Sequence, residues 1–392
     1  MEQNCQQDKT LKWMPSLYFA KGLLFVVLFS VTLIMLRQTG QTNATATLCV
    51  ALCYFPWVTK CWWKSRINWA NHCWRIILLT ELILVVAFSL LAYVLSEMWQ
   101  TTCLLMLIAI ITSIHNVAVD TYYNYAVESS PKNFRTIREL ARKLADVVGV
   151  GMLVMLVGNL QIVYRNAWLY SWRTALYCVA SVFLLLFFWH LIVLPRKSWH
   201  QKRKSESMGR LSSKSVVVLL TFFLAPAILC KMTALFLIEN QSGGGLGLSP
   251  QELGLVLGTV GVIGLTIGLV AGHRLTDRYG VHRILLPMSF VLFIPSATYV
   301  LFSYWQPESL LLVCVGVLIE QTAFGLGLST YLCYQSVMPD RESAKSTMAL
   351  VMMLGCAVSG ALQTQLGYNA FFLTTLSLSI VAVFSSRMVG KY

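Results

Sequence analysis

Twelve long apolar runs follow one another along the chain, separated by short polar segments, and they leave little sequence for anything else. In the first half, the runs cover residues 16–36, 44–60, 76–96, 101–127, 141–164 and 170–194. In the second half, they cover residues 215–239, 250–272, 284–304, 309–338, 344–366 and 370–386. A helix needs about 20 apolar residues to cross the hydrocarbon core of a bilayer. We therefore predict an all-α integral membrane protein with twelve transmembrane helices in two six-helix halves.

The composition agrees with a protein whose main solvent is lipid. Hydrophobic residues make up 57% of the 392 residues and charged residues only 12%, whereas soluble domains carry about 25% charged residues. The first apolar run lacks a signal-peptide cleavage pattern, so we interpret it as the first span. Because the spans use nearly the whole chain, we expect no extramembrane enzyme domain.

The longest polar interruption covers residues 195–214 and is rich in lysine, arginine and serine. It separates the two sets of six runs and has the composition of a solvated linker. We therefore predict three segments, which are an N-terminal half (1–194), a cytoplasmic linker (195–214) and a C-terminal half (215–392).

The positive charge of the chain gives it an orientation. The formal net charge is +14. The basic residues cluster in every second connection between runs, which all lie on one side of the membrane. Because cytoplasmic loops of membrane proteins are rich in lysine and arginine, we assign that side to the cytoplasm. This pattern predicts a multi-pass protein of the cytoplasmic membrane with both termini in the cytoplasm, and it explains the charge without nucleic-acid binding. The main clusters are Lys60, Lys64, Arg66 and Arg75; Lys132, Arg135, Arg138, Arg142 and Lys143; and Arg196 through Lys214.

Sequence patterns for enzymes and metal sites are absent. The 11 cysteines form no CxxC pair, and we interpret them as small apolar residues rather than a disulfide framework or metal ligands. The sequence has no HExxH zinc motif, no GxSxG nucleophile motif and no phosphate-binding loop. We therefore predict a protein that is not an enzyme and has no cofactor.

A polar motif after the eighth run is the strongest local signal. We predict a loop there with Gly272 at its start, an acidic–basic pair in its middle and a tight turn at its second glycine. Such a loop can latch one conformation of a gate and release it in another; the alternative is simply a charged cytoplasmic turn. The residues concerned are Gly272, Asp277, Arg278, Gly280 and Arg283.

This loop resembles the signature of the major facilitator superfamily. In the matching loop of the first half, Pro56, Lys60 and Trp63 resemble a P-x3-K-x2-W motif of its AmpG muropeptide permease branch. Three further stretches resemble the same branch, at residues 18–23, 115–122 and 367–372. The resemblance implies a proton-coupled importer of large amphipathic solutes, such as anhydro-muropeptides or siderophore-like molecules. We expect the protein to be a monomer.

The sequence departs from the pattern of that branch in three places. Lys21 occupies a position that is usually glutamine, and Asn116 occupies a position that is usually aspartate. The usual aspartate of the first-half loop is missing from residues 62–66. A divergent, non-transporting membrane sensor or paralogue with the same fold is therefore the alternative function.

Lys231 and Glu320 place charges in the middle of predicted spans. Lys231 lies roughly 20 Å along the seventh span, and Glu320 is near the middle of the tenth. Charges at that depth usually face a cavity or a partner. The resemblance implies that these two spans face one central cavity, so the two groups either pair or hold a substrate charge. The alternative is a purely structural buried pair.

Asp120, His115 and Lys21 are candidates for a proton relay, with Asn116 beside them. A carboxylate in a span is a common proton carrier, and an unperturbed imidazole titrates at about pH 6.5. Lys21 either pairs with Asp120 or extends to the membrane surface. His115 is either part of the relay or a histidine of the core.

Two further sets of ionisable residues receive structural interpretations. Arg142 and Asp146, at i and i+4, predict a local ion pair on one helix face. We place Glu81 near the membrane interface and assign it no role.

Overall fold

In the computed structural model, the described residues are 2–64, 71–126, 133–196 and 211–388, and their backbone is helical or in short turns, with no strand. Eleven of the helices in this part are long and apolar enough to cross a membrane. The first six are α1 (Thr10–Gln38), α2 (Asn43–Trp63), α3 (Cys73–Val94), α4 (Met98–Ala126), α5 (Thr136–Val163) and α6 (Trp168–Val193). The next four are α7 (Ser213–Ile238), α8 (Pro250–Tyr279), α9 (Val281–Trp305) and α10 (Leu310–Ser336).

The last stretch, Arg341–Arg387, contains two spans. Its 47 residues are interrupted at Gly367, where φ is 74° and ψ is 170°, a conformation that glycine adopts far more easily than other residues. The break divides the stretch into α11 (341–366) and α12 (368–387). The predicted all-α membrane fold with twelve spans is therefore confirmed.

Prolines interrupt α2 and α7. The first part of α2 ends at Leu52 and a new turn begins at Phe55, next to Pro56. In α7, the helix stops at Thr221 and resumes at Leu224, two residues before Pro226. A proline ring clashes with the carbonyl group of the residue four positions earlier. In both helices, the interruption lies at the residue four positions before the proline.

The start of α8 is fixed by a capping box, in which Ser249 is the N-cap. The Ser249 hydroxyl accepts a hydrogen bond from the Glu252 backbone N–H at 3.3 Å, and the Glu252 carboxylate accepts one from the Ser249 N–H at 2.9 Å. The two bonds satisfy donors that a helix N-terminus leaves free.

Contacts divide the chain into two compact units. Unit 1 contains residues 1–31 and 62–205, and unit 2 contains residues 32–61 and 206–392. The first part of α1 thus belongs to unit 1, whereas its end and most of α2 belong to unit 2. Residues 197–210 of the predicted linker lie outside the described residues, and the division into halves at 194 and 215 stays a prediction.

Each unit has its own apolar core. In unit 1, side chains of α1, α3 and α4 form a buried cluster that includes Trp13, Leu17, Ile77, Val119 and Tyr122. In unit 2, a larger cluster joins α7, α9, α10 and α11 and includes Leu219, Phe223, Leu285, Tyr331 and Val351.

Glycines bring α8 and α10 close together in unit 2. A Cβ atom at Gly264 would lie 2.8 Å from the Leu318 carbonyl oxygen, and one at Gly268 would overlap the Thr322 carbonyl oxygen. Small residues allow backbones to approach in this way in membrane proteins. The close packing of α8 against α10 therefore depends on these glycines.

Candidate functional site

An ion pair joins α1 and α4 inside unit 1. The Lys21 Nζ atom donates to Asp120 Oδ1 at 2.5 Å, and the two side chains are 18% and 38% exposed. The ammonium group also lies 5.6 Å from the centre of the Tyr18 ring. Of the two predicted arrangements of Lys21, the structure shows the pair with Asp120.

His115 is completely buried on α4 and contacts Thr80 of α3. The His115 Nδ1 atom lies 3.0 Å from Thr80 Oγ1, while the threonine hydroxyl donates to the carbonyl oxygen of Ile76 at 2.7 Å. The histidine therefore donates from Nδ1. His115 Nε2 and Asn116 Oδ1 are buried and have no hydrogen-bond partner among the described residues. This end of the ring can accept a hydrogen bond from a proton donor.

A second buried pair in unit 1 was not found from the sequence. The His190 Nδ1 atom of α6 lies 2.7 Å from Glu81 Oε1 of α3, and both side chains have no exposed surface. The other ring atom, His190 Nε2, lies 2.9 Å from the Ser16 hydroxyl of α1. The sequence offered one indication of this pair. Glu81 and His190 both lie within about two helical turns of the cytoplasmic ends of their predicted spans, so they are at a similar depth in the membrane.

The predicted ion pair between Arg142 and Asp146 is wrong. Arg142 instead contacts Glu139, with 3.4 Å between Nη1 and Oε1, and Asp146 accepts a hydrogen bond from Lys143 at 3.1 Å. Both pairs have i,i+3 spacing, which brings side chains together on a helix as well as i,i+4 does. The sequence interpretation overlooked these nearer partners.

Lys231 and Glu320 are both buried in unit 2. Their residues are 8% and 2% exposed, and Glu320 Oε2 accepts a hydrogen bond from Gln321 Nε2 at 2.9 Å. The thiol of Cys230, beside Lys231 on α7, interacts electrostatically with both charged groups. The two side chains thus lie in one neighbourhood of unit 2, and their role in a central cavity stays a prediction.

A polar cavity lies in unit 2 near the end of α1. The Arg37 Nε and Nη2 atoms donate to Glu239 Oε2 at 3.0 and 2.6 Å. Asn43 Nδ2 donates to Gln363 Oε1 at 2.8 Å and to the Tyr368 hydroxyl at 3.0 Å. The cavity has a volume of about 320 Å³ and is lined by Arg37, Gly40, Thr42, Asn43, Glu239, Gly243, Gln363, Thr364 and Tyr368.

The motif after the eighth run is helical for most of its length, so its description as a loop is corrected. The α8 helix continues to Tyr279 because Thr276 stays buried and its hydroxyl donates to the Gly272 carbonyl oxygen at 2.8 Å. The connection to α9 is the single residue Gly280, with φ of 81°. The charged residues of the motif are exposed at this helix junction; they are Asp277, Arg278 and Arg283.

The matching motif of the first half is divided between the two units. Pro56 is buried and Lys60 partly buried in unit 2. Trp63 belongs to unit 1, where it packs against the core cluster around Trp13. Arg66, from the basic cluster after this motif, lies outside the described residues.

Comparison with known proteins identifies the fold. The sequence model of the Major Facilitator Superfamily matches residues 17–364. No curated protein matches the sequence significantly.

Solved transporter structures have the same architecture. A crystal structure of tetrameric PepTSo2 has a TM-score of 0.74 at 14% identity, covering 97% of each chain. A bacterial homologue of the iron transporter ferroportin, in an inward-facing state, has a TM-score of 0.69 at 13% identity and covers 100% of each chain. The nucleoside transporter NupG has a TM-score of 0.66 at 15% identity, covering 98% of this chain and 99% of the other. At these identities the likeness is one of fold.

Proposed function

The chain belongs to the Major Facilitator Superfamily, and we propose that it acts as a proton-coupled secondary transporter that works by alternating access. The observation that supports coupling is the Lys21–Asp120 ion pair between two membrane-spanning helices, beside the buried His115. Charged groups in such positions usually belong to an ion or substrate pathway.

Protonation of Asp120 would remove the charge that holds Lys21. In this proposal, a proton on Asp120 releases the lysine ammonium, and loss of the proton restores the pair. His115 interacts electrostatically with both members of the pair, and its unpartnered Nε2 atom can accept the proton in transit. Asn116 is next to His115 in sequence, and its buried side-chain oxygen can accept a hydrogen bond from a group in the same relay.

Lys231 and Glu320 are proposed as substrate-binding groups in unit 2. A buried ammonium and a buried carboxyl group in one neighbourhood suit a solute that carries both polar and charged groups. The exposed charges at the α8–α9 junction, together with Pro56, Lys60 and Trp63, are proposed to control the cytoplasmic gate.

The proposed cargo is an amphipathic solute of the anhydro-muropeptide or siderophore-like class. This rests on the motifs shared with the AmpG branch, since the structural neighbours are named for nucleosides, peptides and iron. We propose that the protein is monomeric and lies in the cytoplasmic membrane, with both termini in the cytoplasm, from the distribution of basic residues.

Uptake into proteoliposomes tests the function. The probe is a radiolabelled anhydro-muropeptide, with a labelled siderophore as second probe, under an imposed inward proton gradient. We expect wild type to accumulate one probe, Asp120→Asn to lose gradient-driven accumulation, and Lys231→Ala to lose uptake. Lys345→Ala is the matched control, because Lys345 is exposed and forms only an i,i+3 pair with Glu342. Equal uptake by wild type with and without the gradient would rule out proton coupling.

A second candidate function is that of a membrane sensor that binds its solute without moving it. The observation that favours it is the departure from the AmpG pattern at Lys21 and Asn116, where that branch usually has glutamine and aspartate. Saturable binding of a probe to reconstituted protein, with no flux under any gradient, would support this alternative.

A further inference from the structure

The hydrogen-bonded chain Glu81–His190–Ser16 connects three helices of unit 1 and has no role in the preceding mechanism. We infer that it is a proton-binding site, which takes up and releases one proton in each transport cycle. The inference rests on the proposed proton coupling and adds to Asp120 a second proton-binding site.

The directions of the hydrogen bonds define the proton content of this chain. The Ser16 hydroxyl lies 2.9 Å from the Trp13 carbonyl oxygen, which can only accept, so the serine donates there. His190 Nε2, 2.9 Å from Ser16 Oγ, therefore supplies the hydrogen of that bond. One more hydrogen lies between His190 Nδ1 and Glu81 Oε1, which are 2.7 Å apart. Glu81 and His190 thus share a single proton.

The remaining carboxyl oxygen indicates where that proton resides. Glu81 Oε2 is buried and has no hydrogen-bond partner among the described residues. A buried acceptor without a partner is far more unfavourable when it carries charge. The arrangement therefore favours a neutral Glu81 carboxylic acid that donates to a neutral imidazole, which is the proton-loaded form of the site.

Release of the proton reverses the direction of the hydrogen bonds between Glu81, His190 and Ser16. The Nε2–H bond of His190 breaks as its proton moves to Ser16 Oγ, and the former hydroxyl proton of Ser16 leaves to water. The Glu81 proton moves to Nδ1, so that the new Nδ1–H donates to a Glu81 carboxylate. One proton has left, the net charge has fallen by one, and the serine hydroxyl now donates to Nε2. Ser16 is suited to this step because it is partly exposed while its two partners are buried.

The surrounding charged groups distinguish this site from Asp120. The titratable neighbours are His115 on α4, which interacts electrostatically with His190, and the Lys21–Asp120 pair, which interacts with His115. Thr80, next to Glu81, is bound to His115. A proton that binds Asp120 must displace the ammonium group of Lys21, whereas the Glu81–His190 pair exchanges a proton without breaking an ion pair with a permanently charged group.

Infrared difference spectroscopy on the full-length protein in liposomes tests the site without a substrate. After a pH step between about pH 9 and about pH 5, we expect the carbonyl stretching band of a protonated carboxylic acid to appear in wild type. One component of the band should be lost in Glu81→Gln and kept in Asp120→Asn and Glu320→Gln. A band of wild-type shape and intensity in Glu81→Gln, or the absence of any pH-dependent band in wild type, overturns the inference.

Variants of Ser16 test the relay while leaving the pair intact. We expect Ser16→Ala to keep the band but to slow its response to a pH jump by about tenfold or more, and Ser16→Thr to restore the rate. An unchanged rate in Ser16→Ala overturns the role of the serine.

A transport assay separates this inference from the proposed function. With labelled anhydro-muropeptide in proteoliposomes, Glu81→Gln should lose accumulation under a proton gradient but retain exchange of labelled for unlabelled probe. Accumulation at the wild-type level in Glu81→Gln overturns the proton site. If wild type carries no probe, the proposed cargo fails, while the infrared result still decides the proton site.

Discussion

The interiors of the two units are stabilised in different ways. Unit 1 joins helices through complementary pairs of titratable side chains, which are the partly exposed Lys21–Asp120 and the buried Glu81–His190. Unit 2 brings helices into backbone contact through glycines such as Gly268. A pair of titratable side chains can exchange a proton, whereas a contact between glycine and a neighbouring backbone depends only on the space between the helices. The comparison indicates that unit 1 is the more sensitive to charge and unit 2 to side-chain volume.

Unit 2 also contains a closely packed cluster of aromatic side chains. The ring of Phe372 lies 5.1 Å from that of Phe236 and 5.4 Å from that of Tyr299, measured between centroids. Tyr368 joins the same group and also accepts a hydrogen bond from Asn43. The break at Gly367 therefore positions the first turn of α12 on a packed aromatic cluster.

The largest effect on stability is expected from removing one partner of the Glu81–His190 pair. His190→Leu removes the hydrogen-bond partner of both the buried Glu81 carboxyl group and the Ser16 hydroxyl. Each polar group left unsatisfied lowers the free energy of unfolding by about 1–3 kcal/mol. Unfolding of purified protein in mixed micelles measures the change.

The double variant Glu81→Leu/His190→Leu is the control for this prediction. Replacing both members of a buried pair by apolar residues of similar volume is often close to neutral, so the double variant should regain most of the lost stability. A double variant as unstable as His190→Leu would show that packing, rather than the pairing of polar groups, stabilises this region.

The next effect concerns the steric contact in unit 2. In Gly268→Ala, the added methyl group overlaps the Thr322 carbonyl oxygen and separates α8 from α10, which lowers the free energy of unfolding by about 1–3 kcal/mol. Gly261→Ala is the matched control, because its Cβ would lie 3.6 Å from the nearest atom of α10, on Gln321. Equal stability of the two variants in a thermal unfolding series would contradict the steric description of unit 2.

A smaller effect is expected at the Arg37–Glu239 ion pair, a polar exception within unit 2. The two side chains are 30% and 14% exposed, so solvent screens the pair, and Arg37→Gln should lower the free energy of unfolding by about 1 kcal/mol or less. A double-mutant cycle with Glu239→Gln measures the coupling energy. A coupling as large as that of Glu81 with His190 would remove the contrast between the units.

The apolar pattern and the turn residues predicted most of the fold. Runs of about 20 apolar residues predicted the spans, and Gly280 predicted the tight turn that joins α8 to α9. These features are local, because each depends on residues within about one helical turn. Contacts between helices that are distant in the sequence were harder to predict.

The candidate site was predicted only in part for the same reason. The Lys21–Asp120 pair was one of two arrangements considered, and it was recognisable because both groups are charged within apolar runs. Glu81 and His190 are separated by more than a hundred residues, and the sequence alone does not show which faces of α3 and α6 meet. The i,i+3 partners of Arg142 and Asp146 were overlooked because one spacing was considered without the other.

The smallest effect on stability is expected at Asp277, on the exposed end of α8. Asp277 forms no ion pair or hydrogen bond with the part of the chain that the structure describes, so Asp277→Asn should change the free energy of unfolding by less than about 0.5 kcal/mol. Its expected effect is on gating, with initial transport rates lowered about fivefold or more. Glu308→Gln, at another exposed acidic residue of unit 2, is the matched control. Because stability and transport are predicted to change independently here, a variant that transports at the wild-type rate would leave the α8–α9 junction with only a structural role.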